Sequence, residues 1–337
     1  MNITIERQAS LGKLNTLGVE STAAELVTVT HEGQLPAATC TTIPLVLLGG
    51  GSNVVLRKFV NARVVRIAIR GMNFEKLDDG RIRVRAGAGE NWNELVRATV
   101  GRGIAGLENL VLIPGLVGGA PYQNIGAYGR ELAEVLESVR VFDLQERVFR
   151  TIPNADCTFR YRDSLFKSDC RDRYAITSVQ LLLGDCILEA SYRDVRTSVK
   201  DWPAYAMSSR TIAETVARIR RRKLPDYRTH GNIGSFFKNP TLTYEEYDSL
   251  LGRLDIPGFK ENQKVRVPAA RLIDACGWKG RSIGKVDVWH RQPLVLVNRG
   301  GASGSECLNV SKLIADDVHS QFDVTLELEP IVMGDDA

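Results

Sequence analysis

Hydrophobic positions along this chain recur with two periods, and the switch between them separates strands from helices. In RIRVRAG (81–87), Ile82, Val84 and Ala86 alternate with three arginines, which predicts a strand with one exposed face. PLVLL (44–48), VVL (54–56), NARVVRIAIRG (61–71) and YAITSVQLLLG (174–184) are short apolar runs, several of them punctuated by glycine, and also read as strands. The period lengthens in NWNELVRATVGRG (91–103), where Trp92, Leu95, Val96 and Thr99 fall on one helical face. Asn91 or Asn93 can cap that helix, and Gly101 or Gly103 can end it.

SSRTIAETVARIRRRKLPD (208–226) predicts a second helix with Ile212, Val216 and Ile219 on its buried stripe. A serine or threonine can cap it, basic residues fill its last turn, and Pro225 stops it. Further on, YEEYDSLLGRL, AARLIDACG and ECLNVSKLIADDVHSQF read as helices, and PLVLVN and VTLELEPIVM as strands. These elements predict α+β architecture in two regions, with a boundary between residues 185 and 205.

The length of 337 residues allows two or three domains, and 44% hydrophobic with 25% charged residues is ordinary for a globular protein. A net charge of +4 is too small to make nucleic acid the main partner, but it suits anionic small molecules. IPLVLL (43–48) is the size of a buried strand rather than a membrane span, and the N-terminal stretch lacks a signal-peptide apolar core. The expectation is therefore a cytoplasmic protein with no membrane partner. Cys40, Cys157, Cys170, Cys186, Cys276 and Cys307 form no CxxC pair and are expected to be buried free thiols. The four histidines have no metal-ligand spacing, so no metal is expected.

Two glycine-rich segments can hold a ligand. LLGGGSNVVL (47–56) fails the Rossmann fingerprint because Val54 takes the place of the last glycine and a strand follows. Its consecutive backbone N–H groups can instead form a nest for a pyrophosphate, or the segment is a plain hairpin. GLENLVLIPGLVGGAPYQNIGAYGRE (106–131) carries six glycines and is too irregular for a helix or strand, which favours backbone wrapped around a planar or charged ligand. GRSIGKV (280–286) has the wrong spacing for a P-loop and no hydroxyl residue after Lys285. GNIGSFFKNP (231–240) leaves Ser235 open as a nucleophile, a phosphate ligand or a turn residue, although it is not a GxSxG elbow.

Taken in order, LGGGSNVVL, AGAGENWNELV, GLENLVLIPGLVGGAPYQNIGAYG, FRYRDSLFK, RKLPD, GNIGSFFKNP, PAARLIDACGWKG, VWHRQPLVLVN and the terminal LELEP resemble the UDP-N-acetylenolpyruvoylglucosamine reductase (MurB) family. YRDSLFK and ASYRDV (190–195) point to its longer, type I form. The resemblance implies an FAD-binding domain of the vanillyl-alcohol-oxidase/PCMH type at 15–187, in two subdomains of about 15–70 and 71–187. A C-terminal α+β substrate-binding domain would follow at 200–337. It further implies noncovalent FAD, NADPH as electron donor in a ping-pong scheme, a UDP-sugar enolpyruvyl ether as substrate, and a monomer.

By the same resemblance, Gly49, Gly50, Gly51, Ser52, Asn53, Pro114, Gly115, Gly118, Gly119, Ala120, Pro121, Asn124, Ile125, Gly126 and Ala127 hold the FAD. Tyr128, Tyr192, Lys223, Asn239 and Gln292 match substrate-contacting positions. Gly119–Ala120 stands where many members have two serines. Arg162 matches the active-site arginine, Ser235 the proton donor and, in the ungapped register of LELEPIVMG, Glu329 the catalytic glutamate. Matching Glu-Pro to Glu-Pro instead would put Ile331 at that place. The chemistry fits these residue types: charge developing on the substrate carboxylate suits a guanidinium fork, and a carbanion-like centre needs a positioned proton donor. Two other readings are another FAD-dependent oxidoreductase of the same fold, or a non-catalytic flavin- or nucleotide-binding protein.

Overall fold

The computed structural model describes residues 2–184 and 187–336. The chain forms two compact units that interleave along the sequence. The first takes the residues up to Ala9, Ala23–Gly51 and Asn61–Arg220; the second takes Ser10–Thr22, Ser52–Val60 and everything from Arg221 onward.

The first unit contains an antiparallel sheet in the order Val148–Pro153, Leu136–Asp143, Tyr174–Leu183, Ile82–Gly87 and Met72–Lys76. The alternation in RIRVRAG sets its register: Val84 and Ala86 are fully buried, while Arg83 turns outward to Glu137 and Glu75. Leu45–Leu48 runs parallel to Phe59–Ile67, pairing Leu45 with Arg63 and Leu48 with Arg66. The helix Trp92–Gly101 buries the expected Trp92, Leu95, Val96 and Thr99. Asn91 caps it by accepting from the Glu94 N–H at 3.1 Å. Asn93 instead accepts from Leu112 N–H at 2.8 Å, and the turn closes at Gly103, whose φ of 73° is open to glycine at no steric cost. Ser209–Lys223 forms the second expected helix, with Ile212, Val216 and Ile219 buried and the Ser208 hydroxyl accepting from Thr211 N–H.

In the second unit, two three-stranded sheets accompany the helices Tyr244–Leu251, Ala269–Ala275 and Gly304–Phe322. One sheet orders Thr241–Leu242, Lys264–Arg266 and Phe259–Glu261; the other orders Ser282–Ile283, Val286–Val288 and Leu296–Asn298. Val54–Leu56 pairs in parallel with Ile331–Met333. Asn298 binds the carbonyls of Leu17 and Gly18, both at 3.1 Å, and accepts from Gly300 and Ala302 N–H groups.

Three expectations change. VTLELEPIVM is a strand only at Ile331–Met333, because its alternation breaks at Leu328, as described below. The 106–131 segment is not shapeless: it contains 3₁₀ turns at Glu108–Leu110, Val117–Gly119 and Pro121–Gln123 and a small pairing of Gly126–Ala127 with Arg130–Glu131. Cys157 and Cys307 are buried free thiols, but Cys40 is exposed because it follows the end of a short helix, and Cys170 and Cys276 are half-buried. Cys186 lies outside the described residues.

Candidate active site

In the first unit, two glycine segments meet backbone to backbone. A Cβ on Gly50 would stand 2.9 Å from the Gly115 Cα, and one on Gly118 only 2.6 Å from the Ala88 Cβ. Such approaches exclude any larger residue. The long loop is stitched to the start of the Trp92 helix by Trp92 N–H to Gly115 O, Val117 N–H to Glu90 O and Gly118 N–H to Ala88 O. Gly49 and Gly119 differ: nothing lies within 4 Å of where their Cβ atoms would be, and their φ angles are ordinary. Nothing in the chain requires glycine there, so the open space fits a group that the chain itself does not supply. On this ground the cradle fits an FAD.

Several expected cofactor residues are occupied by the fold. Ala120, Pro121 and Ile125 are buried, with Ala120 and Ile125 in the unit's apolar core. Asn124, in left-handed backbone at φ 44°, gives its side-chain amide to Glu131 at 2.7 Å and accepts from Ala133 N–H at 3.0 Å. Any ligand contact from these four falls to their backbone. Pro114, Gly126 and Ala127 are half-buried, Gly51 turns at φ 59°, and Ser52 and Asn53 belong to the second unit.

Arg162 sits in a tight turn closed by reciprocal bonds between Arg160 and Asp163, at 3.1 and 3.2 Å. Its φ of 54° is the left-handed conformation usually given to glycine at the third position of such a turn. An arginine held there costs on the order of 1–3 kcal/mol, which argues for a use of its side chain. That side chain donates to Gly126 O at 3.0 Å, reaching into the long loop. Asp163 is engaged instead by Arg160, Ser164 N–H and the Ser168 hydroxyl. Beside the loop, Tyr128 meets Tyr192 edge to face at 5.2 Å, and burial raises the Tyr128 phenol pKa, keeping it protonated. Burial pulls the Arg220 guanidinium below its ordinary pKa; Tyr128 opposes that pull and the Arg162 charge adds to it.

In the second unit, residues 235–237 form a short central strand piece. Ser235 bridges Val295 on one side and Phe237 bridges Leu328 on the other. Phe236 and Phe237 are both buried and anchor it, while Gly234 precedes it at φ 75° with its N–H accepted by Asn232. Ser235 is half-buried, and no hydrogen bond of its hydroxyl is found among the described residues.

Glu329 hangs on the same piece. Its N–H donates to Phe236 O at 3.0 Å, and its carbonyl accepts from Asn53 Nδ2 at 3.4 Å. Val324 and Leu326 point inward, yet Leu328 is 36% exposed and Glu329 only 8%. The carboxylate therefore faces inward where alternation would have placed the leucine. Ile331, the other candidate, is fixed in the parallel strand opposite Val54.

On the Val295 side, residues 289–295 form a turn closed by Trp289 N–H to Val295 O at 2.8 Å. It presents Gln292, whose Oε1 is buried with no hydrogen-bond partner. Trp289 Nε1 donates to Lys223 O at 3.0 Å, fastening Lys223 to this turn. Asn239 accepts from Ala269 N–H at 3.0 Å and so positions a helix start. The structure thus brings Ser235, Glu329, Gln292 and Lys223 onto one framework, and Arg162, Tyr128 and Tyr192 onto another. Trp289 and Asn232, which hold the first framework together, were not expected from the sequence; an indole before a turn carries no distinctive spacing. A separate cavity of roughly 550 Å³, lined in part by Arg150, Asp156 and Tyr174, includes none of these residues. Among the described residues, no helix is long and apolar enough to cross a membrane.

The glycine-lined cradle, taken with the families and relatives that the chain matches, makes it an FAD-containing oxidoreductase. The family described as an FAD binding domain matches residues 24–151, and the one described as UDP-N-acetylenolpyruvoylglucosamine reductase, C-terminal domain, matches 226–333. The chain is 42% identical over 330 residues to the UDP-N-acetylenolpyruvoylglucosamine reductase of Burkholderia multivorans, covering 95% of this chain and 94% of that protein. It is 39% identical over 335 residues to that of Bdellovibrio bacteriovorus, covering 97% and 99%. The crystal structure of the Thermus caldophilus enzyme (MurB) superposes with a TM-score of 0.70 at 28% identity, over 99% of this chain and 100% of that one. This chain belongs to the UDP-N-acetylenolpyruvoylglucosamine reductase family.

Proposed function

We propose that this protein reduces UDP-N-acetylglucosamine enolpyruvate to UDP-N-acetylmuramate with electrons from NADPH, as a cytoplasmic monomer. Cofactor binding is assigned to residues 15–187 and substrate binding to 200–337. Bound FAD supplies the hydride. The remaining work falls to side chains of the chain itself.

Addition of hydride to the terminal methylene leaves negative charge on the neighbouring carbon and its carboxylate. Arg162 is the group assigned to bind that carboxylate, since its fork offers two charged hydrogen bonds and stays protonated. Glu329 is assigned to the same carboxylate, sharing a proton with it, and Ser235 to delivery of a proton to the α-carbon. Lys223 is assigned to the diphosphate, and Tyr128, Tyr192, Asn239 and Gln292 to the rest of the substrate. The observation that carries the reading is the inward turn of Glu329 beside the strand piece holding Ser235. It favours Glu329 over Ile331 as the carboxylate position.

The test is anaerobic and has two halves. NADPH should bleach the flavin absorbance, and the enolpyruvyl substrate should restore it. Bleaching without restoration would leave an oxidoreductase with a different acceptor; no flavin at all would remove the reading.

A further inference from the structure

The helix that ends at Lys223 carries Arg221, Arg222 and Lys223 in its last turn, a pattern usually explained by complementing the terminal carbonyls. Here those carbonyls are served by other residues. Trp289 Nε1 donates to Lys223 O at 3.0 Å and Arg291 Nη1 donates to Arg222 O at 3.1 Å. Arg221 and Arg222 are exposed, and neither side chain meets a carboxylate among the described residues. Asp226, the acidic group of the following turn, is held by Arg228 through three hydrogen bonds between 2.6 and 3.1 Å. Positive charge therefore remains in excess. Aromatic surface adjoins it: Trp289 packs against the exposed His290 at 4.4 Å and against His230 at 5.5 Å.

Arg291, bonded to the Arg222 carbonyl, directly follows the Trp289–His290 ring pair in the chain, and arginines with such rings match a phosphorylated nucleoside, the phosphate taken by the arginines and the base by the rings. We propose that Arg222 and Arg291 bind the 2′-phosphate of NADPH, with the His290–Trp289 surface against its adenosine, and so set the preference for NADPH over NADH. The assignment rests on the proposed electron donor. It differs from the role of Lys223, whose partner would be a diphosphate common to all the ligands.

The probe is adenosine 2′,5′-bisphosphate, titrated calorimetrically into the flavin-loaded protein with 5′-AMP as control. The unmodified protein should bind the bisphosphate more tightly. Arg222→Gln and Arg291→Gln should each weaken it on the order of tenfold while leaving 5′-AMP unchanged, since each removes one charge-assisted contact. In the anaerobic reductive half-reaction, the same variants should raise the NADPH concentration for half-maximal rate and leave that for NADH unaltered. Equal weakening toward NADPH and NADH would overturn the proposal, as would unchanged bisphosphate binding. Arg222→Gln separates charge from capping, because its carbonyl stays in place for Arg291. Loss of affinity in Arg291→Gln alone would assign the arginine to the helix end and overturn the clamp. Should the unmodified protein bind the bisphosphate with this discrimination yet not pass electrons to the enolpyruvyl substrate, the proposed reaction fails and the phosphate site stands.

Discussion

The backbone N–H of Glu329 donates to the carbonyl of Phe236 at 3.0 Å, one residue from Ser235. Together with Lys238 N–H to Glu327 O at 2.9 Å, this bond ties together two chain segments that carry two of the proposed catalytic groups. It also holds the glutamate where the strand's alternation breaks. Glu329→Gln keeps shape and burial but removes the carboxylate proposed to share a proton with the substrate. Flavin reoxidation by the enolpyruvyl substrate should slow by at least about tenfold, with reduction by NADPH little changed. Full activity would move the carboxylate role elsewhere.

Ser235→Ala removes a hydroxyl that makes no hydrogen bond among the described residues, so the melting temperature should hardly move. Rapid-mixing traces should show reoxidation slowed by about 10²–10⁴ and reduction unaffected. Comparable slowing of both steps would make the serine structural.

Arg162 allows activity and stability to be separated. Glycine and alanine both lose the bond to Gly126, but the φ of 54° suits glycine, whereas alanine keeps the strain. Both Arg162→Gly and Arg162→Ala should abolish reoxidation, but the glycine variant should be the more stable by about 1 kcal/mol in urea unfolding. A more stable alanine variant would contradict the strain.

The glycines should divide into two sets. Gly50→Ala forces a Cβ to 2.9 Å from Gly115 and should destabilise the FAD-free protein by about 1–3 kcal/mol. Gly119→Ala meets open space and should leave that protein's melting temperature alone while weakening FAD binding, read by flavin fluorescence.

Asp143 supplies a pH signature. Its side chain is fully enclosed, and hydrogen bonds from Arg173, then from the Glu146 and Gln145 N–H groups, hold its pKa below the ordinary 3.8. Because the folded value is depressed, the stabilisation is present above that ordinary value and is lost as pH falls through the folded one. Acid unfolding of Asp143→Asn should lack this component, giving a shallower loss of stability below about pH 4.

Local signals were legible where side chains alternate or recur on one face. Ile82, Val84 and Ala86, and the Trp92–Thr99 stripe, needed only periodicity and a cap. The second glycine segment favoured a ligand and the first left a plain hairpin open, but neither showed that Gly50 and Gly118 serve backbone contact while Gly49 and Gly119 leave space; that depends on partners remote in sequence. The broken alternation at Leu328 was invisible for the same reason. Glu329 N–H to Phe236 O and Lys238 N–H to Glu327 O are the bonds that impose it, and no local propensity encodes them. The interleaving of the two units likewise depends on long-range pairing that no linker composition marks.

Such pairing bears on the order in which the protein is made. Asn298 closes on Leu17 across 281 residues, and Val54–Leu56 waits for Ile331–Met333 at the far end of the chain. Newly synthesised N-terminal segments of the second unit must remain unpaired until translation is nearly complete. A fragment beginning at residue 200 would lack those strands and should not fold by itself, and premature termination would leave an exposed edge for chaperones to cover.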